Sequence, residues 1–105
     1  LAAEGQDLRV EARFDASSNR LELVRLAGQA RPGRALELWV IAAGADAPVS
    51  LGVMPEATTA LIDVPADLAG LIAGGVLAIT DEPPGGSPTG GPTGDLLAAG
   101  EISEV

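Results

Sequence analysis

Apolar and charged residues alternate without a fault over residues 8–14, so four apolar side chains share one face of an extended chain and three charged ones share the other. This pattern predicts a half-buried β-strand. Turn-forming residues follow at 15–19, and the alternation resumes over residues 20–26 with one phase slip near Leu23 and Val24. The two runs therefore predict an antiparallel hairpin, with a β-bulge in its second arm.

Five further apolar runs predict the remaining strands. A Pro-Gly pair breaks the chain before residues 35–42, which carry large apolar side chains on both faces. A strand of this kind is buried on both sides and lies in the middle of a sheet. The shorter runs are residues 49–54, 59–64, 76–80 and 96–102.

Residues 65–72 are the one stretch with helical character. Pro lies in the first turn, Leu68, Leu71 and Ile72 fall on one face, and the glycine pair at 74–75 ends the pattern. The helix is two turns at most. About seven strands separated by turn residues predict an all-β fold, an antiparallel β-sandwich that is Ig-like in general architecture.

Length and composition predict one domain over residues 1–105 with an aliphatic core. The chain has 105 residues, of which 47% are apolar, with a single Phe and a single Trp. The interior must therefore be built from Leu, Val, Ile and Ala. Trp39 is expected to lie in the core or at its edge, rather than to serve as a ligand platform.

The charge balance and the missing residue types exclude many functions. Fifteen acidic residues against six arginines give a net charge of −9, which argues against nucleic acids and anionic membrane surfaces as partners. The absence of His, Cys, Lys and Tyr excludes imidazole bases, thiolate nucleophiles, Schiff-base lysines and zinc sites of Cys and His. We therefore expect a domain that is not an enzyme and uses no cofactor.

The chain contains no apolar run near the ~20 residues that a membrane-spanning helix needs. Residues 1–4 have neither the basic start nor the apolar stretch of a signal peptide. Because the first residue is not Met, we expect the chain to be part of a longer protein, whose targeting or anchoring segments lie outside it.

Residues 81–95 form a segment in which nine of fifteen residues are Gly or Pro. Pro-Thr-Gly occurs twice in it, at 88–90 and at 92–94, which suggests a defined string of turns as much as a flexible linker. Two interpretations remain open at this point. The segment is either an ordered loop packed on the sandwich or a mobile segment exposed to partners or proteases.

Acidic residues at the ends of this segment are the main candidates for chemistry. Asp81 and Glu82 could form an acid–base pair, but adjacent residues of a strand face opposite sides. A calcium site of Asp81, Glu82 and Asp95 is a further hypothesis, because carboxylates and a Gly-rich loop suit that ion, although the regular spacing of known calcium loops is absent. The glycines at 85–86 resemble a phosphate cradle only superficially, since no Lys and no helix follow them.

Three blocks of residues, in order along the chain, carry a family resemblance. The first is 36–40 with its Leu-Trp pair, the second is 48–53, and the third is 77–94, where a strand leads into Glu-Pro-Pro-Gly-Gly-Ser and then Pro-Thr-Gly. Together they resemble the C-terminal, extracytoplasmic domain of the anti-sigma-K factor family. The residues that match the family pattern are Leu38, Trp39, Leu51, Gly52, Glu82, Pro83, Gly85, Gly86, Ser87, Pro92, Thr93 and Gly94.

The chain departs from the family pattern at two positions. Glu37 stands where the family often has an aromatic residue, and Pro84 stands where a small residue is usual. The first departure bears on packing beside Trp39. The second is expected to stiffen the turn.

The resemblance implies a three-part membrane protein, with a cytoplasmic sigma-binding segment, one transmembrane helix and a β-rich domain on the periplasmic or cell-envelope side. Only the third part is present here, so the sigma factor would be reached through the absent cytoplasmic segment. The implied mechanism is sigma-factor release through regulated proteolysis, begun by a site-1-type protease. The alternative is an Ig-like ligand-binding or surface-binding module that uses the Gly/Pro-rich segment.

Overall fold

The computed structural model describes residues 6–44, 47–55, 57–72 and 75–104. This part of the chain forms eight strands and one helix. Their bounds are β1 Arg9–Asp15, β2 Arg20–Ala27, β3 Ala35–Ile41, β4 Val49–Val53, β5 Thr59–Asp63, α1 Ala66–Ile72, β6 Val76–Glu82, β7 Leu96–Glu101 and β8 Ser103–Glu104.

The strands form two four-stranded sheets, and the predicted β-sandwich is confirmed. The first sheet has the order β5-β2-β1-β8 and the second the order β4-β3-β6-β7. The pairs are antiparallel except β1 with the two-residue β8. The chain crosses from one sheet to the other between β2 and β3, and again on both sides of β5, in the manner of Ig-like sandwiches.

The first two strands form the predicted hairpin, and the bulge predicted in its second arm is confirmed, although it lies beyond the phase slip. The pairing of β1 with β2 runs without a shift past Leu23 and Val24. The shift comes later, between Arg25 and Ala27, which leaves Leu26 as the extra residue, and 61% of Leu26 is exposed. The apolar pair at 23–24 needs no bulge, because Val24 lies half-buried on the outer face, where an apolar side chain is tolerated.

An aliphatic core fills the space between the sheets. The first sheet contributes Leu21 and Leu23, and the second contributes Leu38, Leu77 and Ile79, all at most 1% exposed. These residues alternate with outward-facing ones along each strand, as the pleat of a strand requires. The composition thus predicted the chemistry of the core correctly.

The helix closes one part of this core. Ile72 is buried, and Leu68 and Leu71 are half-buried against the same cluster, so the predicted apolar face is confirmed. Pro65 precedes the helix and accepts hydrogen bonds from the backbone N–H groups of Leu68 and Ala69. In the part of the chain that the structure describes, no helix is long and apolar enough to cross a membrane.

The two central strands of the second sheet are buried on both faces, as predicted for β3. Strand β6 extends two residues beyond the prediction, so Asp81 and Glu82 belong to this strand and not to the loop. On the face opposite the core, Glu37, Trp39, Thr80 and Glu82 are all buried. Something must therefore cover that face, and it is the segment that follows β6.

Truncating Leu38 is expected to destabilise the domain strongly. This side chain is fully buried opposite Ile79, and a Leu→Ala cavity at such a position costs about 3 kcal/mol of unfolding free energy. The matched control is Leu61→Ala on edge strand β5, where the side chain is 63% exposed and the expected change is within about 0.5 kcal/mol. Urea denaturation followed by circular dichroism measures both, and equal losses in the two variants would contradict the core described here.

Candidate functional site

The residues that connect β6 to β7, here named the Gly/Pro loop (83–95), fold back over the outer face of the second sheet. The loop begins with a tight turn in which the N–H of Gly86 donates to the carbonyl of Pro83 at 2.9 Å. Gly85 has φ +89° in this turn, a value that favours glycine at the third position. Pro84 takes the second position, where its fixed φ fits, so this departure from the family pattern suits the turn.

The carboxylate of Glu82 is the anchor of the far end of the loop. It is fully buried and accepts hydrogen bonds from the hydroxyl of Thr80 at 2.6 Å and the hydroxyl of Thr93 at 2.5 Å. The backbone N–H of Thr93 donates to it at 3.1 Å and that of Gly94 at 3.4 Å. Glu82 thus holds residues that lie eleven and twelve positions further along the chain.

The donors around Glu82 are neutral, and they stabilise its charged form. Burial by itself raises the pKa of Glu82, but the hydrogen bonds from Thr80, Thr93 and Gly94 outweigh burial and keep the pKa below its ordinary value. The indole N–H of Trp39 extends this network by donating to the Thr80 hydroxyl at 2.9 Å. Trp39 is therefore a buried structural residue on the face opposite the core, with its polar atom paired.

A second buried carboxylate, Glu37 of β3, anchors the near end of the loop. It is 5% exposed and accepts hydrogen bonds from the hydroxyl of Ser50 on β4 and the backbone N–H of Ser87, each at 2.5 Å. Gly86 lies so close that an added Cβ would be 2.7 Å from Glu37 Oε1. Glu37 and Glu82 together form what we call the carboxylate clamp.

Between the two anchors the loop is held by its own polar groups. The hydroxyl of Ser87 donates to the carbonyl of Gly91 and accepts a hydrogen bond from the N–H of Thr89 at 3.2 Å. The Thr89 hydroxyl donates to the same carbonyl at 3.2 Å. Of the two interpretations open from the sequence, the structure supports the ordered loop packed on the sandwich.

Asp81 lies on the opposite face of β6 from Glu82 and has different partners. Its carboxylate pairs with Arg31 Nη1 at 3.2 Å and with Arg34 Nε at 3.1 Å, and Arg31 also pairs with Asp95 at 3.0 Å. The hypothesis of a calcium site is therefore wrong, because the three carboxylates do not converge. In the described parts of the chain, no group of three or more Asp, Glu, His or Cys residues could hold a metal ion.

The other residues of the family pattern have separate places. Leu38 lies in the core, and Leu51 is the bulged residue of β4, half-buried against that core. Gly52 follows it with φ +105° and donates its N–H to the Ser50 hydroxyl at 3.1 Å. Pro92 lies exposed near the end of the loop. The structure therefore brings together Trp39, Glu82 and most of the family-pattern residues of the loop, whereas Leu38 lies in the core and Pro92 is exposed.

Sequence reasoning missed Glu37, Thr80 and Ser50 as members of the site. Glu37 was expected only to perturb packing beside Trp39. The signal that could have found it is a carboxylate inside a strand that is apolar on both faces, because a buried charge requires partners.

The substitution Gly94→Ala is expected to open the far end of the loop. An added Cβ would lie 1.6 Å from the carbonyl oxygen of Asp81, so the backbone must move, at a cost of about 3 kcal/mol. The matched control is Gly91→Ala in the same loop, where an added Cβ meets nothing within 4 Å. Amide hydrogen exchange at Thr93 and thermal unfolding measure the effect, and equal behaviour of the two variants would contradict the close approach.

Acid is expected to weaken the clamp through Glu82. Because folding lowers the pKa of this carboxyl, its contribution to stability is complete above the ordinary value and is lost as the pH falls through the lowered pKa of the folded chain. Glu82→Gln should remove this part of the acid dependence and cost about 2 kcal/mol at neutral pH, since an amide cannot accept from all these donors. Chemical denaturation across about pH 3 to 7 measures both effects.

The control for this prediction is Glu11→Gln, which removes a carboxyl from the exposed face of the first sheet. We expect it to keep the neutral stability and the acid dependence of the unaltered chain. A Glu82→Gln variant with the full acid dependence would show that Glu82 does not titrate as described.

Comparison with known proteins gives one match. No curated protein and no solved structure matches the chain. A family model described as "Anti-sigma-K factor rskA, C-terminal" matches residues 1–96, which include strands β1 to β6, the clamp and the whole Gly/Pro loop. The residues that fasten the loop to the sheet thus lie within the matched region, and the chain belongs to the anti-sigma-K factor family as its C-terminal domain.

Proposed function

We propose that this domain is the extracytoplasmic regulatory part of a membrane-tethered anti-sigma factor, and that it controls sigma-factor release by limiting proteolysis of its own chain. Membership of the family makes it an anti-sigma factor domain, a regulatory class whose partner is a sigma factor. The proposal goes further in three respects: the location, the tether, and a site-1-type protease that acts on this domain.

The observation that carries the proposal is the carboxylate clamp. A protease must bind its substrate as an extended, accessible segment, and residues held in strands or pinned to a sheet are not available in that form. The tip of the Gly/Pro loop is exposed at 88–90, but Glu37 holds the chain before the tip and Glu82 holds it after. Cleavage here therefore requires that the clamp open first.

The opening free energy of the clamp would then set the rate of the first cut. When opening and closing are fast, cleavage follows the population of the open form, and about 1.4 kcal/mol changes that population about tenfold. The opening free energy of a clamp made of a few hydrogen bonds suits regulation of the cleavage rate. One signal-dependent contact could change that rate by one or two orders of magnitude. The rest of the sandwich remains folded while the loop opens.

The alternative, a ligand-binding or surface-binding module that uses the Gly/Pro loop, has less support. Most polar groups of the loop that could contact a ligand are directed to Glu37, Glu82 or other parts of the loop. They are the hydroxyls of Ser87, Thr89 and Thr93 and the backbone N–H groups of Ser87, Thr89, Thr93 and Gly94. A ligand at this surface would have to compete with those contacts.

Glu82→Gln is expected to accelerate cleavage of the loop. With about 2 kcal/mol less clamp stability at neutral pH, the open population rises by about thirtyfold, and proteinase K should cut between residues 83 and 97 at a correspondingly higher rate. Mass spectrometry locates the cut, and Glu11→Gln is the charge-matched control, with an expected rate equal to that of the unaltered chain.

The same pair of variants tests the regulatory role in cells. In the full-length anti-sigma factor, Glu82→Gln should raise sigma-dependent transcription without an inducing signal, whereas Glu11→Gln should not. Transcription that is unchanged although the isolated domain is cut faster would contradict the proposal. Equal cleavage rates for the folded chain and for the chain unfolded in urea would also contradict it.

A further inference from the structure

Three of the six arginines of the chain line one cleft at the end of the sandwich where β2 leads into β3. The cleft has a volume of about 480 Å³ and contains Arg25, Arg31 and Arg34. In a chain with a net charge of −9, this is a marked local concentration of positive charge. Asp81 and Asp95 neutralise part of it, which leaves one positive charge in excess among these five groups.

A tight turn fixes the two arginines of the β2–β3 connection side by side. The N–H of Arg34 donates to the carbonyl of Arg31 at 3.0 Å, Pro32 takes the second position, and Gly33 has φ +71° at the third. Asp81, only 9% exposed, then holds both guanidinium groups from one side. The positions of Arg31 and Arg34 are thus set before any ligand arrives.

These contacts leave donors of both arginines unused within the described residues. Arg34 binds Asp81 through Nε, and Arg31 uses Nη1 for both of its carboxylates, so Nη2 of each remains available. Their side chains are 37% and 46% exposed. A ligand in the cleft could therefore reach guanidinium groups that are already oriented.

Arg25 adds an independent observation. Its Nη2 donates to the carbonyl of Pro55 at 3.2 Å, which holds the side chain in place. Its Nε is buried, and in the described residues it is the one buried side-chain nitrogen or oxygen without a hydrogen-bond partner. A buried charged donor without an acceptor is costly, so the guanidinium of Arg25 is incompletely paired within the described residues.

The remaining walls of the cleft indicate what kind of partner fits. Leu36, Val53 and Met54 line it together with the arginines, so it offers apolar surface beside the charged groups. Its volume lies in the usual range for small-molecule sites. Guanidinium groups bind carboxylates and phosphates through paired N–H donors.

We infer that this cleft binds a small amphiphilic oxyanion, a carboxylate or phosphate monoester with a short hydrocarbon chain. The oxyanion contacts the guanidinium Nη groups of Arg25, Arg31 and Arg34, and the hydrocarbon part packs on Leu36, Val53 and Met54. The inference does not depend on the proposed function, since it rests on the cleft and not on the carboxylate clamp.

The test is a titration of the ¹⁵N-labelled chain followed by amide chemical shifts at constant ionic strength. The probes are octanoate, octyl phosphate, octanol and inorganic phosphate. We expect octanoate or octyl phosphate to give saturable shifts confined to residues 29–36 and 53–55, with a Kd below about 1 mM, and the other two probes to bind at least about tenfold more weakly. Whichever of the first two binds more tightly identifies the source of the oxyanion.

The variants are Arg25→Gln and Arg25→Lys, with Arg13→Gln on the exposed face of the first sheet as the charge-matched control. Arg25→Gln should weaken binding by about tenfold. Arg25→Lys, which keeps the charge but lacks the paired guanidinium donors, should also weaken it, and Arg13→Gln should not. The dispersion of the amide spectrum shows that each variant is folded.

Three results would overturn the inference. The first is the absence of saturable shifts with both amphiphilic anions. The second is equal binding of octanol, which would mean a merely apolar cleft. The third is an equal loss of affinity in Arg13→Gln and Arg25→Gln, which would mean attraction by net charge without a site.

Discussion

The structure of the outer layer depends on one interaction, the burial of the Glu82 carboxylate beneath the loop that follows it. A carboxylate in a fully buried position is unfavourable unless hydrogen bonds compensate for the lost water. Here two threonine hydroxyls and two backbone N–H groups supply that compensation. The loop therefore cannot leave the sheet without exposing the carboxylate to water or leaving it unpaired, and this couples the conformation of a Gly/Pro-rich segment to the second sheet.

Strand β6 binds a different segment of the chain on each of its two faces. Glu82 holds the Gly/Pro loop on the outer face, and its neighbour Asp81 holds Arg31 and Arg34 of the β2–β3 connection on the other. Because successive residues of a strand point to opposite sides, two adjacent acidic residues can serve two different parts of the chain. The two carboxylates are adjacent in the chain but differ in their partners. Glu82 accepts hydrogen bonds from neutral donors, whereas Asp81 pairs with guanidinium groups.

The family pattern gains a physical meaning from this arrangement. Glycine at position 94 allows the backbone to approach Asp81, glycine at 86 leaves room for Glu37, and Thr93 supplies two donors to Glu82. These residues shape and fasten a loop. A loop that is fastened by a few hydrogen bonds can respond to small changes in free energy.

Local pattern in the sequence was sufficient for much of the fold. Alternation of apolar and charged residues defined β1 and the hairpin, the two-sided apolar run defined β3 as a central strand, and the shortage of aromatic residues defined an aliphatic core. These features depend on neighbours within a few residues, so they can be recognised without a fold. The position of the bulge at Leu26 could not, because register is decided by pairing across strands.

Only the tertiary structure decided the roles of the acidic residues. The sequence shows Glu37, Asp81, Glu82 and Asp95 as carboxylates in a strongly acidic chain. The last three, at the ends of a Gly-rich loop, suggested a calcium site that the described residues do not form. The partners of Glu37 lie 13 and 50 residues away, and those of Asp81 lie 47 and 50 residues away. The residue type determined that each buried carboxylate needs donors, but packing of the sheets and the loop determined which donors each one received.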